Sequence, residues 1–305
     1  AKDLSSPRVH VVHHVMSFLH FDDFSKAVTE MLTEGLKAGT CDVTLTKSGS
    51  EGSTVGPYVV NLARENASGG LGGMAQTSIA DLGGKKGIGL QAMATPDATL
   101  YATLKGLPEA FGVEGLNVDW QAMFNPQYGP MPLANLDVKC FREGFTFGLQ
   151  ASPMQGLVGS LTTGKEAVMV GSQVIFSPSG YLAGNTLAVT YGGMVTGILS
   201  MPTYGRSALQ CSAMVPLTPA SAFSFVGEKE IGASGHSAAV GLCHFFEAPK
   251  VVAKGLVAWT DSPVGKVSLQ KSFPVGQMGI NLEIPFSKTD GTSRPAFGLS
   301  AVLSL

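Results

Sequence analysis

The stretch TSRPAFGLSAVLSL (residues 292–305) decides how the rest of the chain is interpreted. Phe297, Leu299, Ala301, Leu303 and Leu305 alternate with Gly298, Ser300, Val302 and Ser304. Successive side chains of a β-strand point to opposite faces, so this pattern predicts a strand with one apolar face and one small, mostly polar face. The chain is expected to end on this strand, and much of the preceding sequence repeats the pattern.

Composition leaves two classes of protein open. Charged residues make up 14% of the 305-residue chain, against about 25% in soluble domains. Mean hydropathy is +0.22, yet no run reaches the roughly 18 apolar residues of a membrane-spanning helix. Such a chain has either an unusually large soluble core or apolar residues dispersed over transmembrane strands. The net charge of −2 gives no sign of nucleic-acid binding.

Residues 1–39 form an N-terminal segment in which 20–38 predict a helix. Its apolar residues recur at helical spacing: Phe21, Phe24, Val28, Met31 and Leu32. Acidic residues at the start and a lysine near the end match the helix dipole. The apolar stripe indicates that the helix docks on another part of the molecule, which the sequence does not specify.

From residue 40 onward, alternating runs broken by turns predict about nineteen strands, spaced roughly fourteen residues apart. The clearest runs are 41–47, 58–65, 87–94, 98–105, 116–124, 132–140, 144–151, 237–245, 250–259, 265–273, 276–284 and 296–305. In 153–231 the two faces are ambiguous. Opposite the apolar face lie Thr, Ser, Gln, Asn and Gly, whereas a soluble sandwich exposes mainly Lys and Glu.

Closure of the sheet follows from backbone chemistry. In hydrocarbon every N–H and C=O group needs an internal partner, so an open sheet edge cannot persist. The first strand must therefore pair with the last, and with an odd strand count that pair is parallel. The expected fold is all-β: a transmembrane barrel over residues 40–305, with the N-terminal helix in or against the pore.

The sequence contains partial matches to motifs for catalysis, cofactors or metals, but each lacks neighbouring residues that its chemistry requires. GSLTTGKE (159–166) nearly matches a phosphate-binding loop, but Glu166 replaces the magnesium-binding hydroxyl. GHSAA (235–239) lacks the second glycine of a nucleophile elbow. The histidines at 10, 13 and 14 have no acidic or cysteine neighbour, and the four cysteines are widely spread. We therefore expect no enzyme activity, cofactor or metal site.

The layout resembles the mitochondrial porin superfamily, and within it most closely the central channel subunit of the translocase of the outer mitochondrial membrane. The voltage-dependent anion channels are the other relatives. A helix followed by about nineteen strands matches over nearly the whole length. The similarity to the translocase channel is stronger in 234–305, which includes the Gly-Lys strand GKVSLQKSF (265–273). Residues 21–52 are similar to both relatives.

The terminal strand also resembles the family's sorting signal, polar-x-Gly-x-x-Φ-x-Φ, in which Φ is a large apolar residue. Gly298 and Leu303 match, Ala301 is a weak Φ, and Ala296 departs from the polar position. The resemblance implies a role in sorting and barrel closure for Gly298, Leu299, Ala301 and Leu303.

The function implied by the resemblance is a water-filled pore that passes unfolded precursor proteins with basic presequences across the mitochondrial outer membrane. Alternation places Asp42, Glu65, Asp119, Asp137 and Glu283 on the lumen face, where weak, distributed attraction suits passage. The implied partners are precursor polypeptides, small helical translocase subunits, receptors, lipids and further copies of the chain within a membrane complex. No nucleic acid is expected.

Two alternatives remain open. A metabolite porin similar to the anion channels should carry positive lumen charge, and several lysines could supply it, namely Lys85, Lys105, Lys139, Lys250, Lys254 and Lys266. A soluble all-β binding protein is the alternative of another class, and it would stay in solution without detergent.

Two substitutions in the terminal strand test its role. Gly298→Leu adds bulk where the family pattern has glycine, and Leu303→Asp places a carboxylate on the apolar face. Both are expected to lower the fraction of protein that resists alkaline extraction from membranes, whereas Ser300→Thr should not. Normal assembly of both variants would count against a role in closure or sorting.

Overall fold

The computed structural model describes residues 21–24, 26–33, 40–47, 58–65, 71–82, 86–165, 167–192, 194–260, 263–286 and 295–304. The N-terminal segment contributes a 3₁₀ turn, Phe21–Asp23, and one helix, α1, Lys26–Thr33. This is shorter than the helix predicted over 20–38, of which residues 20, 25 and 34–38 lie outside the described residues. A second short helix, α2, Pro108–Phe111, was not predicted.

Within the described residues, nineteen strands form one sheet in which each strand pairs with its neighbours in sequence. The strands are β1 (Thr40–Lys47), β2 (Tyr58–Glu65), β3 (Leu71–Ile79), β4 (Ile88–Ala94), β5 (Leu100–Gly106), β6 (Leu116–Asn125), β7 (Gly129–Arg142), β8 (Phe145–Ser152), β9 (Gly156–Lys165), β10 (Val168–Phe176), β11 (Leu182–Tyr191), β12 (Val195–Pro202), β13 (Ala208–Thr218), β14 (Ser221–Glu230), β15 (His236–Phe246), β16 (Val251–Trp259), β17 (Val264–Phe273), β18 (Gly276–Pro285) and β19 (Ala296–Ser304). The predicted strand count is confirmed.

The barrel closes through a parallel pair of β1 with β19, while all other neighbours are antiparallel. The register runs from Cys41 opposite Leu299 to Thr46 opposite Ser304. The predicted parallel closure is therefore confirmed. We call the end at which β1 begins the first rim and the end at which β1 finishes the second rim. Odd-numbered strands run from the first rim to the second, and even-numbered strands run back.

Burial distinguishes the concave lumen face from the convex outer face. On β17 and β18, Ser268 and Asn281 are cross-strand partners and only 0% and 2% exposed. Their neighbours on the opposite face, Leu269 and Ile280, are about half exposed. Side chains converge on the inside of a closed sheet and diverge on the outside. The register then carries this assignment around the barrel, because directly paired residues share a face.

The outer face is an apolar band with aromatic side chains. Trp120, Phe124, Trp259, Phe273 and Phe286 are all exposed on it. Four of them lie at or near strand ends, as interfacial girdles do, whereas Trp120 lies in the middle of β6. This surface is compatible with an outer-membrane barrel. No helix among the described residues has the length and apolar character needed to cross a membrane.

Cross-linking tests the parallel closure, because the native Cys41 faces Leu299 on the outer face. Neighbouring strands are about 4.8 Å apart, which lies within the Cα separation of a disulfide. In a background with Cys140, Cys211 and Cys243 replaced by Ser, Leu299→Cys is expected to form an intramolecular disulfide under mild oxidation, seen as a mobility shift on non-reducing gels.

The matched control is Leu303→Cys, which lies on the same strand and face but opposite Leu45. It is expected to remain reduced. Equal cross-linking of the two variants, or cross-linking only at 303, would contradict the register.

Candidate functional site: the lumen and its docked helix

The N-terminal segment packs inside the barrel against β9–β16. Phe21 and Phe24 form a buried cluster with Met169 and Ala188, and Ile198 packs beside it. The two rings stack with centroids 5.7 Å apart. These contacts place the start of the segment near the second rim, where β10 begins and β11 ends.

The α1 helix continues obliquely across the wall towards β16. Val28, which is 0% exposed, and Leu32 pack against Leu256. The partly buried residues around them are Met214, Val226, Ala239 and Ala258. We call Met169, Ala188, Ile198, Met214, Val226, Ala239, Leu256 and Ala258 the helix-docking patch. Because an isolated eight-residue helix is marginal in water, α1 depends on this patch for its stability.

Two strand glycines let the segment approach the wall. A Cβ atom at Gly171 would lie 2.6 Å from Phe21 Cδ2, and one at Gly241 would lie 2.7 Å from Leu32 Cδ2. Neither distance is compatible with a side chain unless Phe21 or Leu32 moves. Gly171 and Gly241 therefore leave the space into which Phe21 and Leu32, at the two ends of the segment, pack.

A hydrogen bond to the barrel wall holds the segment between its contacts with Gly171 and Gly241. Thr196 Oγ1 donates to the backbone carbonyl of Phe24 at 2.8 Å, and Thr196 is only 2% exposed. The same hydroxyl lies 3.0 Å from Thr190 Oγ1, a second acceptor for it, while Thr190 donates its own proton to the Val195 carbonyl at 3.2 Å. A buried carbonyl without a partner costs about 1–3 kcal/mol, so this contact helps to set where the helix lies.

The docked segment divides the lumen into two walls. The other strands, β17–β19 and β1–β8, form what we call the free wall. Its lumen face is dominated by small or neutral polar side chains, including Thr44, Asn61, Gln76, Ser78, Gln91, Thr103, Asn117, Gln121, Asn135, Gln150, Gln270 and Ser300. One row on this face is different, because Met93, Tyr101, Met123 and Met131 are successive cross-strand partners on β4–β7. The space beside the helix is therefore lined mainly by hydrogen-bonding groups, with one stripe of larger, less polar side chains.

All five predicted lumen carboxylates occupy lumen-face positions of the register. Asp42 pairs across strands with Ala63 and Ser300, and Glu65 pairs with Thr40. Only the backbone position of Glu65 is described. Asp119, Asp137 and Glu283 lie on β6, β7 and β18. They do not form one cluster, since they are spread over both rims.

Asp119 and Asp137 meet near the second rim, where they are direct cross-strand partners. Two lysines adjoin them: Lys105 pairs with Asp119 across β5 and β6, and Lys139 Nζ lies 3.2 Å from Asp137 Oδ2. Like charges facing each other on a sheet repel, and the two lysines offset that repulsion. This charge cluster is close to neutral in total.

The first rim is more acidic on its lumen side. Asp42, Glu228, Glu230 and Glu283 point into it from β1, β14 and β18. Lys266 is the lumen-facing lysine of the described strands at this rim, and its Nζ lies 2.8 Å from Glu283 Oε2. The described lumen face as a whole has more carboxylates than lysines, since its lysines are Lys105, Lys139, Lys254 and Lys266.

The structure also describes most of the other residues named from the sequence, in the helix, the terminal strand and the lysine set. Phe21, Phe24, Val28 and Leu32 are buried against the wall, and Met31 is half-buried. Leu299, Ala301 and Leu303 share the outer face of β19, whereas Gly298 faces the lumen opposite Asn281. Lys250 lies in the turn after β15, and Lys85 lies outside the described residues.

Several residues of the site escaped the sequence analysis. Glu228 and Glu230 alternate with an outward lysine at the end of β14, and this pattern was hidden because the faces in 153–231 were ambiguous. Thr196, Gly171 and Gly241 acquire roles only through the docked helix. In the described part of the chain, no three His, Cys, Asp or Glu residues come together as a possible metal site.

Thr196→Val tests the helix anchor, because valine keeps the shape of threonine but leaves the Phe24 carbonyl without a donor. Undocking is measured as the labelling rate of Val28→Cys by a water-soluble maleimide, with the native cysteines replaced by Ser. The expected rate increase is about 5- to 150-fold, which corresponds to about 1–3 kcal/mol. Thr196→Ser keeps the hydroxyl and should label at the original rate; equal rates for both variants would contradict the anchor.

Comparison with known proteins leaves the fold as the basis for assigning function. No protein-family model matches the chain, and no curated protein matches it. The closed 19-stranded barrel with a parallel closing pair is consistent with a mitochondrial porin-type barrel. Its size and its partly polar lumen fit a channel-type protein.

Proposed function

We propose that the protein is a protein-conducting channel of the mitochondrial outer membrane that passes unfolded precursors with basic presequences. The observation that carries this proposal is the acidic lumen at the first rim, where Asp42, Glu228 and Glu230 have no lysine directly opposite them in the register. A mouth lined by one sign of charge raises the local concentration of oppositely charged ligands. Basic segments therefore enter from the first rim.

The free wall supports passage of an extended polypeptide. Its Thr, Ser, Asn and Gln side chains can exchange hydrogen bonds with an unfolded backbone. The row of Met93, Tyr101, Met123 and Met131 adds non-directional contacts for the side chains of the passing segment. Conduction requires binding that is favourable on entry and weak enough for release. The charge cluster of Lys105, Asp119, Asp137 and Lys139 is a second weak binding site for the polypeptide, near the second rim.

The docked helix narrows the pore on one side without lining the free wall. Its own charges are mixed, with Lys26 Nζ 3.6 Å from Asp23 Oδ1. The proposal further includes a non-enzymatic protein in a membrane complex with small helical subunits, receptors and other copies of the chain. These partners rest on the resemblance to the translocase channel.

A metabolite porin similar to the anion channels is the second candidate. Lys105, Lys139, Lys254 and Lys266 all face the lumen, as that function requires. Against it, Lys266 and Lys139 are paired with carboxylates, and the described lumen carboxylates outnumber the lysines. The described lumen-face positions therefore carry a net negative charge, whereas a metabolite porin of this kind should have a positive lumen.

Ion selectivity in planar bilayers separates the two candidates. The intact chain is expected to prefer cations and to be blocked by a basic presequence peptide added on the side of the first rim. Replacing Asp42 by Asn and Glu228 and Glu230 by Gln should lower the cation-to-anion permeability ratio roughly twofold or more, since a change of about 0.4 kcal/mol in entry free energy gives a factor of two. Peptide block should weaken in parallel.

The control exchanges Lys266→Glu with Glu283→Lys, which keeps the net charge and the ion pair. Its selectivity should equal that of the unmodified chain. An anion preference with voltage-dependent closure and no peptide block would overturn the proposal in favour of the metabolite porin. Solubility of the folded chain without detergent would overturn both.

A further inference from the structure

Charge is sorted strictly between the two faces of the described strands. Every Asp and Glu in these strands occupies a lumen-face position, whereas the charged residues on the outer face are all basic. The outward residues are Lys47, Arg64, Arg142, Lys165, Lys229 and Lys271, each within three residues of a strand end. Basic side chains at this level extend to the headgroups of a membrane and attract anionic lipids.

One of these residues heads a continuous row of small side chains on the outer face. Lys47 pairs with Tyr58 across β1 and β2. One step beyond the Val59–Gln76 pair, Tyr58 adjoins Thr77. Thr77 then pairs with Ala92, Ala92 with Ala102, and Ala102 with Ala122. The row therefore crosses six adjacent strands without a large side chain after Tyr58.

Bulkier residues flank the row on both sides. Ile79, Leu90, Leu104 and Trp120 form the parallel row nearer the second rim. On the other side stand Val60, Leu100 and Phe124, with Ala75 and Ala94 between them. An apolar furrow of about 830 Å³ lies between the small row and this second flank, and residues of both line it. It ends at β7, where the register shifts beside Ala122 and Pro130 and Pro132 line the groove.

The furrow descends from the second rim into the apolar band. Lys47 and Tyr58 lie at that rim, whereas Ala102 is the third residue of β5 from the first rim. Five strand spacings make the row roughly 24 Å long. With strands tilted by about 45°, it descends about 17 Å, close to half of the roughly 30 Å hydrocarbon core.

We propose that this furrow is a binding site for one anionic phospholipid, with its phosphate at Lys47 and Tyr58 and an acyl chain along Thr77, Ala92, Ala102 and Ala122. A cation at the interface followed by an apolar path one leaflet deep matches the layout of a phospholipid. A transmembrane helix is the other conceivable occupant, but it would contact the barrel through both leaflets, and the furrow stops at β7. The proposal requires that the barrel spans a membrane and is independent of what passes through the pore.

Native mass spectrometry of the full-length, delipidated protein in mild detergent tests the site by titration with phosphatidylglycerol or phosphatidylcholine. The unmodified chain is expected to retain one phosphatidylglycerol in preference to phosphatidylcholine. Lys47→Gln should lower phosphatidylglycerol affinity about fivefold, the factor that corresponds to about 1 kcal/mol per interfacial cation. Lys47→Arg should restore it, and Ala102→Phe should weaken binding of both lipids by filling the furrow.

Matched variants elsewhere on the outer face complete the design. Lys271→Gln removes a second-rim cation whose cross-strand neighbours are Val251 and Met278 rather than small residues, and Ala253→Phe adds a ring outside the furrow. Neither should change lipid retention. Equal losses for Lys47→Gln and Lys271→Gln, or unchanged binding in Ala102→Phe, would overturn the site. So would a photo-cross-linker at position 102 that captures a polypeptide in intact membranes instead of a lipid.

Discussion

The parallel hydrogen bonding of β1 with β19 is the constraint on which the rest of the structure depends. Without it, two strand edges would present unpaired N–H and C=O groups, which hydrocarbon cannot satisfy. Closing the sheet also fixes which face of every strand is the lumen, because a slip of one residue would exchange the two faces. The positions of the docked helix, the lumen charges and the outer furrow all follow from this single register.

The helix explains why one part of the barrel differs from the rest. Along β9–β16 the lumen face carries the helix-docking patch, so both faces of these strands are partly apolar. Along the free wall the lumen face is mostly polar, apart from the row of Met93, Tyr101, Met123 and Met131. The lumen is therefore partly filled on one side and lined mainly by hydrogen-bonding groups on the other.

Acidic and basic side chains are distributed differently over the two faces of the barrel, and each lies where its charge can be solvated or paired. Carboxylates face water in the lumen, where they can be solvated or paired, as Glu283 is with Lys266. Lysine and arginine occupy the outer face only near strand ends, where long side chains can reach the interface while their stems stay in apolar surroundings. An outward Asp or Glu has a shorter side chain, which cannot extend as far along the apolar surface.

The sequence by itself determined the barrel, its strand count and its parallel closure, because period-two alternation and backbone hydrogen bonding are local and general rules. Alternation also predicted a lumen-face position for Asp42, Asp119, Asp137 and Glu283, and the register has them on that face. It failed in 153–231, where the docked helix makes the lumen face apolar and removes the contrast between faces. Only the tertiary structure decided where Phe24 and Val28 dock, that Asp119 faces Asp137, and that Lys47 heads the row ending at Ala122. These facts depend on which residues of non-adjacent segments meet, and that is set by register and closure rather than by any local pattern.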